Sequence, residues 1–334
     1  MKATKGLFLH VGLFVAASAT ALVTASASRE PSDGRRVEAE LWPGPADALS
    51  RINYEAEGQK TTILPAKDSV GRYAVVEVTK AAKPPLGVAG GGPDASAVAK
   101  PPETKRFISV DEAEKLLAAM APAKSYRSLG KIEPSRLVDY GLDKPESRFS
   151  VEVGGKTYRL EVGALTPGSG DYYVRDPDTG QVHTFSAEQI GKLKFSDSRL
   201  LEHDLHGFNT DDVRAVEVLA GGKKRRAVRV EGKPNAWADP ATPTVADETV
   251  GNWLLKVQRL HPQNYVENPV DLPANALVRV EYYDQKGKVG YLELFRATGA
   301  EKKYLARSER TRWYVDIPPS AAEPIEQDVN TIVK

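Results

Sequence analysis

The sequence predicts an α+β protein made of two related units, each a mainly antiparallel sheet with helices packed against it. Two observations predict this. Short runs with period-two alternation, rich in Val, Thr, Ile and Tyr and separated by Gly-containing turns, recur from residue 41 to the end of the chain. Helical stripes interrupt them near 111–120 and again near 247–257, so the order strand–strand–helix–four strands–short helix is read once in 41–205 and once in 206–334.

Length and charge are consistent with this. A chain of 334 residues accommodates two ordinary domains. Its 41% hydrophobic residues supply cores, and 46 basic against 45 acidic residues leave a net charge of +1, which provides no global field for nucleic acid. Cysteine is absent, which excludes disulfides, thiolate metal sites and cysteine nucleophiles.

The N-terminal region stands apart from the units. Lys2 and Lys5 precede residues 6–28, which carry no Asp, Glu, Lys or Arg. Residues 1–29 therefore read as a membrane anchor with the body outside the cytoplasm. Equally, the basic start, the apolar centre and Ala25-Ser26-Ala27 read as a cleavable signal peptide. Residues 30–40 are polar and form a tether. Both readings place the body in the cell envelope, inner-membrane anchored and facing the periplasm or released into it.

In the first unit, Ile52 and Tyr54 fall on one strand face and Asn53 and Glu55 on the other. Residues 60–64 and 72–78 are further strands. Residues 82–104, with Pro84-Pro85, Gly90-Gly91-Gly92-Pro93 and Pro101-Pro102, read as a flexible insertion. Its glycine run lacks the strand and the Lys-Ser/Thr pair of a phosphate cradle. Ser109-Val110-Asp111-Glu112 opens a helix with Ala113, Leu116, Leu117 and Met120 on one stripe, ending before Pro122. The run from Tyr140 to Pro145 predicts an unusual backbone conformation at Gly141 and an extended entry to the next strand. Hairpins follow across Gly154-Gly155 and across 176–180, then Ser186 caps a short helix.

The second unit begins at His206 with strands at 215–218 and 223–230. Asp247-Glu248 opens the helix that buries Val250, Trp253, Leu254 and Val257. Strands at 277–283, 289–295, 303–306 and 313–315 follow, and a terminal helix over 324–333 starts with Pro324 at its first position.

One stretch supports a family resemblance. Residues 137–145, the Gly163-Ala164-Leu165-Thr166-Pro167-Gly168 turn, Tyr172-Tyr173-Val174-Arg175 and Val182 resemble the bacterial domain-of-unknown-function family 4340. The resemblance is sharpest over 137–185. It implies an exported, membrane-anchored envelope protein encoded near ABC-type export or gliding-motility transporter components, and it brings no catalytic residues.

The chemistry in the chain is sparse. His203 and His206, with Glu202 beside them, have the spacing of a helical metal pair, but their place between the units reads as a solvated linker. His183 reads as a surface strand residue. No Gly-x-Ser-x-Gly elbow is present. Asp211-Asp212 and Asp247-Glu248 sit where a turn and a helix start favour acids. Residues 176–180 lack the full ligand pattern of a calcium loop. The expectation is a protein without catalytic, metal or cofactor residues, whose candidate interaction surface comprises Tyr172, Tyr173, Lys223, Lys224, Arg225 and Arg226. The expected function is a non-enzymatic envelope accessory or binding protein. Its expected partners are a membrane transporter component and the membrane itself, not nucleic acid. The alternative is a periplasmic carbohydrate- or glycan-binding protein that uses Tyr172, Tyr173 and the tryptophans as stacking surfaces.

Overall fold

The structure, a computed structural model, describes residues 39–82, 101–299 and 301–334. The expected anchor or signal at 1–29, most of the tether and residues 83–100 of the insertion lie outside the described residues. Residues 39–334 form one compact unit.

The chain starts with β1 (Ala39–Trp42), β2 (Leu49–Ala56), β3 (Gln59–Lys67), β4 (Arg72–Lys80), β5 (Glu103–Ser109) and α1 (Asp111–Met120). After these come β6 (Ala123–Ser125), β7 (Arg127–Lys131), β8 (Ser147–Val153), β9 (Lys156–Leu165), β10 (Tyr172–Arg175), β11 (Gln181–Phe185), α2 (Ala187–Lys194) and α3 (Ser196–Arg199). The second half contains β12 (Ala215–Ala220), β13 (Lys223–Arg229), β14 (Trp237–Ala238), α4 (Glu248–Gln258) and β15 (Tyr265–Val266). It closes with β16 (Val278–Tyr283), β17 (Lys288–Arg296), β18 (Tyr304–Ser308), β19 (Tyr314–Ile317) and α5 (Pro319–Ile332).

Two large antiparallel sheets result, so the α+β class is as predicted. The first has the order β5-β4-β3-β2-β8-β9-β10-β11-β7, and the second β14-β13-β12-β16-β17-β18-β19-β15. Read from β4 and from β14, the two orders are the same. The place that β5 takes beside β4 is marked in the second sheet by a bridge from Ala238 to Ala246. In each sheet the main helix follows the outermost of the early strands, and a short edge strand then precedes the central one.

Each sheet buries one face. In the first, Ile52, Tyr54, Ile63, Val76, Phe149 and Val151 pack against the α1 stripe of Ala113, Leu116, Leu117 and Met120 and against Ile190 and Leu193 of α2. In the second, Val216, Val218, Val280, Leu292 and Leu294 pack against Val250, Trp253, Leu254 and Val257 of α4 and against Ile325 and Val329 of α5. Each core contains a buried tryptophan whose indole N–H finds a helix carbonyl, as a buried polar group requires. Trp42 Nε1 donates to Met120 O at 2.6 Å and Trp253 Nε1 to Ile325 O at 3.1 Å.

Several local expectations fail for identifiable reasons. Residues 103–104 belong to β5, where the insertion was expected to continue. Its exposed start, Glu-Thr-Lys-Arg, shows no alternation, and pairing with β4 makes it a strand. Ala39 and Glu40 lie in β1, paired with β6, and not in the tether. The terminal helix starts at Pro319, so Pro324 is inside it. His183 is buried (9% exposed) because β7 covers the outer side of β11. β7 reads poorly because Ser128-Leu129-Gly130 has no strand pattern.

Candidate functional site

Alternation aims the remaining strand side chains away from the helices, toward an open face on each sheet. On the first sheet, Thr62, Asn53, Ser150 and Arg159 are cross-strand partners on β3, β2, β8 and β9. The neighbouring row is Lys60, Glu55, Arg148, Glu161 and Arg175. A shallow basin of about 600 Å³ lies over these rows, lined among others by Arg51, Asn53, Lys60, Arg148, Ser150 and Arg159.

The corresponding face of the second sheet is a locked ionic lattice. Arg279 holds Glu281 at 2.9 Å and also Glu293, and Arg307 holds Glu293 at 2.8 Å. Lys288 and the Tyr283 hydroxyl both donate to Glu281. With Arg279 added, these bonds outweigh burial and push the Glu281 carboxyl down to about 2. The guanidinium groups of Arg226, Arg279 and Arg307 lie over the rings of Tyr283, Tyr291 and Tyr314. A wider hollow of about 1100 Å³ separates this lattice from the 267–276 connection.

The two open faces meet. β5 and β15 lie edge to edge. On the core side the rings of Phe107 and Tyr265 are 6.4 Å apart, and Tyr265 packs against both cores. On the open side Arg106 pairs with Glu77 in its own sheet and with Glu267 beyond β15, beneath the ring of Trp313. At this seam the core sides of the two sheets meet through Phe107 and Tyr265, and Arg106 and Glu267 join them on the polar side.

The junction is completed at the N-terminus of α1. Glu202 Oε1 accepts the Val110 and Asp111 N–H groups at 2.6 and 3.0 Å, where a helix N-terminus favours an anion. Its other oxygen accepts from Arg310 at 2.5 Å, and Arg310 also reaches Asp111 at 2.9 Å. Burial alone would lower the Arg310 pKa, but these carboxylates raise it above its ordinary value. Arg312 grips Asp68 with two nitrogens and lies over the Tyr73 ring. His206 Nδ1 is 3.0 Å from Glu309, with its ring packed on Phe208 and Tyr282. The 202–206 segment is thus a packed part of the junction, and the expectation of a solvated linker is corrected. Its hydrogen-bond partners come from the start of α1 and from residues 308–310, both distant in the chain, which no local pattern could reveal. Among the described residues no three His, Asp or Glu side chains converge as a set for a metal ion.

The residues singled out from sequence do not gather into one surface. Tyr172 is half-buried on β10 against the first core. Tyr173 meets Tyr140 edge to face at 4.9 Å. The four basic residues lie on β13 of the other sheet and alternate in direction. Arg225 turns inward to Asp247 and the Ile332 carbonyl. Lys224 pairs with Glu217, Arg226 covers Tyr283 and Lys223 is exposed. Trp42 and Trp237, candidate stacking surfaces, are each 2% exposed. Sequence reasoning missed Arg51 and Lys60, on the β2–β3 hairpin, and Arg159, which joins them from far along the chain through the pairing of β2, β8 and β9.

Fold and faces together define a two-sheet α+β scaffold with one polar side left open. The chain belongs to the family described as a domain of unknown function, DUF4340, whose model matches residues 109–279. Those residues run from the end of β5, through the 202–206 segment, into β16. No curated protein and no solved structure matches the chain.

Proposed function

We propose that the chain is a non-enzymatic binding module of the cell envelope that serves as an accessory to an ABC-type export complex. The observation that carries this reading is the open side: two sheets of the same strand order each keep a polar face without packed helices, and Arg106 and Glu267 join the sheets where they meet. A strand face free of packed helices is a surface on which a partner can dock. Placement in the envelope rests on Lys2, Lys5 and the uncharged stretch 6–28. Among the described residues no helix is long and apolar enough to cross a membrane, and that stretch lies outside them. Burial of Trp42 and Trp237 favours a protein partner over a stacked glycan.

A photo-crosslinking residue at Asn53, in membranes of cells making the full chain, tests the proposal. The expected result is an adduct with a transporter subunit that is absent when the crosslinker replaces Glu188 on α2. Equal adducts at both positions, or none at Asn53, overturn it. So does a reporter fused after Lys334 that is active only in the cytoplasm.

A further inference from the structure

The two open faces are built on the same strand order and differ in how their charges are held. On the second sheet the carboxylates sit 2.7–2.9 Å from their cations at Lys224–Glu217, Arg279–Glu281, Lys288–Glu281 and Arg307–Glu293. On the first sheet two acids are equally committed: Glu55 holds Arg148 at 2.6 Å and Glu161 holds Arg175 at 2.6 Å. Three cations of the basin are not. Arg51 is 3.7 Å from Glu152, Lys60 is 3.9 Å from Glu55, and Arg159 is 3.9 Å from Asp178, all beyond hydrogen-bond reach. Their side chains are 44%, 64% and 60% exposed.

These three surround a neutral band. Thr62 Oγ1 donates to Asn53 Oδ1 at 3.2 Å, and Asn53 Nδ2 donates to Ser150 Oγ at 3.4 Å. Each of these groups keeps further donor or acceptor capacity. The basin crosses four strands, about 14 Å at the usual strand spacing, which is the span of roughly four extended residues. The aromatic residue lining it, Phe149, has its ring in the core against Trp42 and Phe185, so no ring face is presented for stacking a sugar.

We infer that this basin docks an extended acidic peptide segment of a protein partner. Its carboxylates seat against Arg51, Lys60 and Arg159, and its backbone amides meet Thr62, Asn53 and Ser150. Unfilled hydrogen-bond capacity and loosely held cations are what a charged partner completes, whereas the locked lattice of the second sheet offers no such gain. This inference rests on the binding-module reading and names the partner's chemistry.

The test uses the full chain in detergent and a labelled peptide of alternating glutamate and serine, with binding read by fluorescence anisotropy. Binding is expected to weaken with added salt, and by roughly tenfold or more in the triple variant Arg51→Ala, Lys60→Ala, Arg159→Ala. The control Lys223→Ala, Lys224→Ala on the second sheet should bind as the parent does. If the triple variant melts early, Arg159→Gln alone should still weaken binding. Equal binding by parent and variants, or equal loss in the control, overturns the inference. So does preference for an acidic oligogalacturonide over the peptide. Loss of peptide binding alongside a persisting Asn53 adduct would refute the acidic segment and leave the accessory role standing. Peptide binding without any adduct would do the reverse.

Discussion

Gly141 shows how a single residue holds two segments together. It has φ 65 and ends the 3-10 turn Pro134–Tyr140, in the left-handed region that disfavours a β-branched residue. A Cβ there would lie 2.8 Å from Ala164 N, and one on Gly163 would collide with the Tyr140 carbonyl oxygen. The two glycines therefore let the Tyr140–Pro145 run and the 163–168 turn interlock, with Leu142 fully buried between them. Gly141→Val should lower stability by about 1–3 kcal/mol through backbone strain alone, measured by chemical denaturation. Peptide binding by the folded fraction should be unchanged. A variant as stable as the parent contradicts this account. The special conformation of Gly141 was legible from its Tyr-Gly-Leu-x-x-Pro context. The contact with Ala164 was not, because it depends on where β9 ends.

At the scale of elements, the acid response divides by strand. Burial holds the His183 imidazole of β11 below its ordinary 6.5, although the charge of Asp176 opposes it. The unfolded chain takes up that proton near pH 6.5 while the folded chain does not, so stability falls as the pH drops below 6.5. Glu281 of β16 behaves as a depressed carboxylate. Its contribution is complete above the ordinary 4.5 and is lost as the pH falls toward about 2. Unfolding free energy followed against pH should decline gently from 6.5 and more steeply below 4.5. His183→Phe should remove the first decline, and Glu281→Gln should reduce the second. A parent curve that is flat between 6.5 and 4.5 contradicts the role given to His183. Strands with sustained alternation, such as β16 and residues 52–55 of β2, were legible because half-burial imposes period two. β5, β7, β14 and β15 were not, because short or polar edge strands owe their existence to a neighbour and not to their own pattern.

For the whole molecule, the junction decides whether two sheets behave as one body. Glu202 is 6% exposed and joins α1 to the 309–312 turn through Arg310, which is 7% exposed. Removing Glu202 leaves buried Arg310 with only the more exposed Asp111 carboxylate, and leaves the Val110 and Asp111 N–H groups without their acceptor. Glu202→Ala should therefore cost about 3–5 kcal/mol, read by calorimetry as a lower melting temperature. Glu202→Gln keeps an acceptor for the Val110 and Asp111 N–H groups but loses the charge, so it should fall between the parent and the alanine variant. Equal stability of all three would show that the halves hold together without this contact. Nothing in Glu202-His203-Asp204-Leu205-His206 announces such a role, since the hydrogen-bond partners of Glu202, Leu205 and His206 all come from the start of α1 or from residues 308–310, far away in sequence.

β1 has a mechanical consequence. Ala39 exchanges hydrogen bonds with the Ser125 side chain, and the Trp42 indole grips the carbonyl at the last residue of α1. Tension arriving from the N-terminal side therefore enters the body at a strand backed by an anchored ring. A pull along the axis of β1 stretches its cross-strand bonds to β6 together instead of peeling them in turn, and the indole passes the remaining strain to the helix layer. The polar faces, turned away from the helix layer, are spared that traction, so a pull on the leading end leaves the open side undistorted.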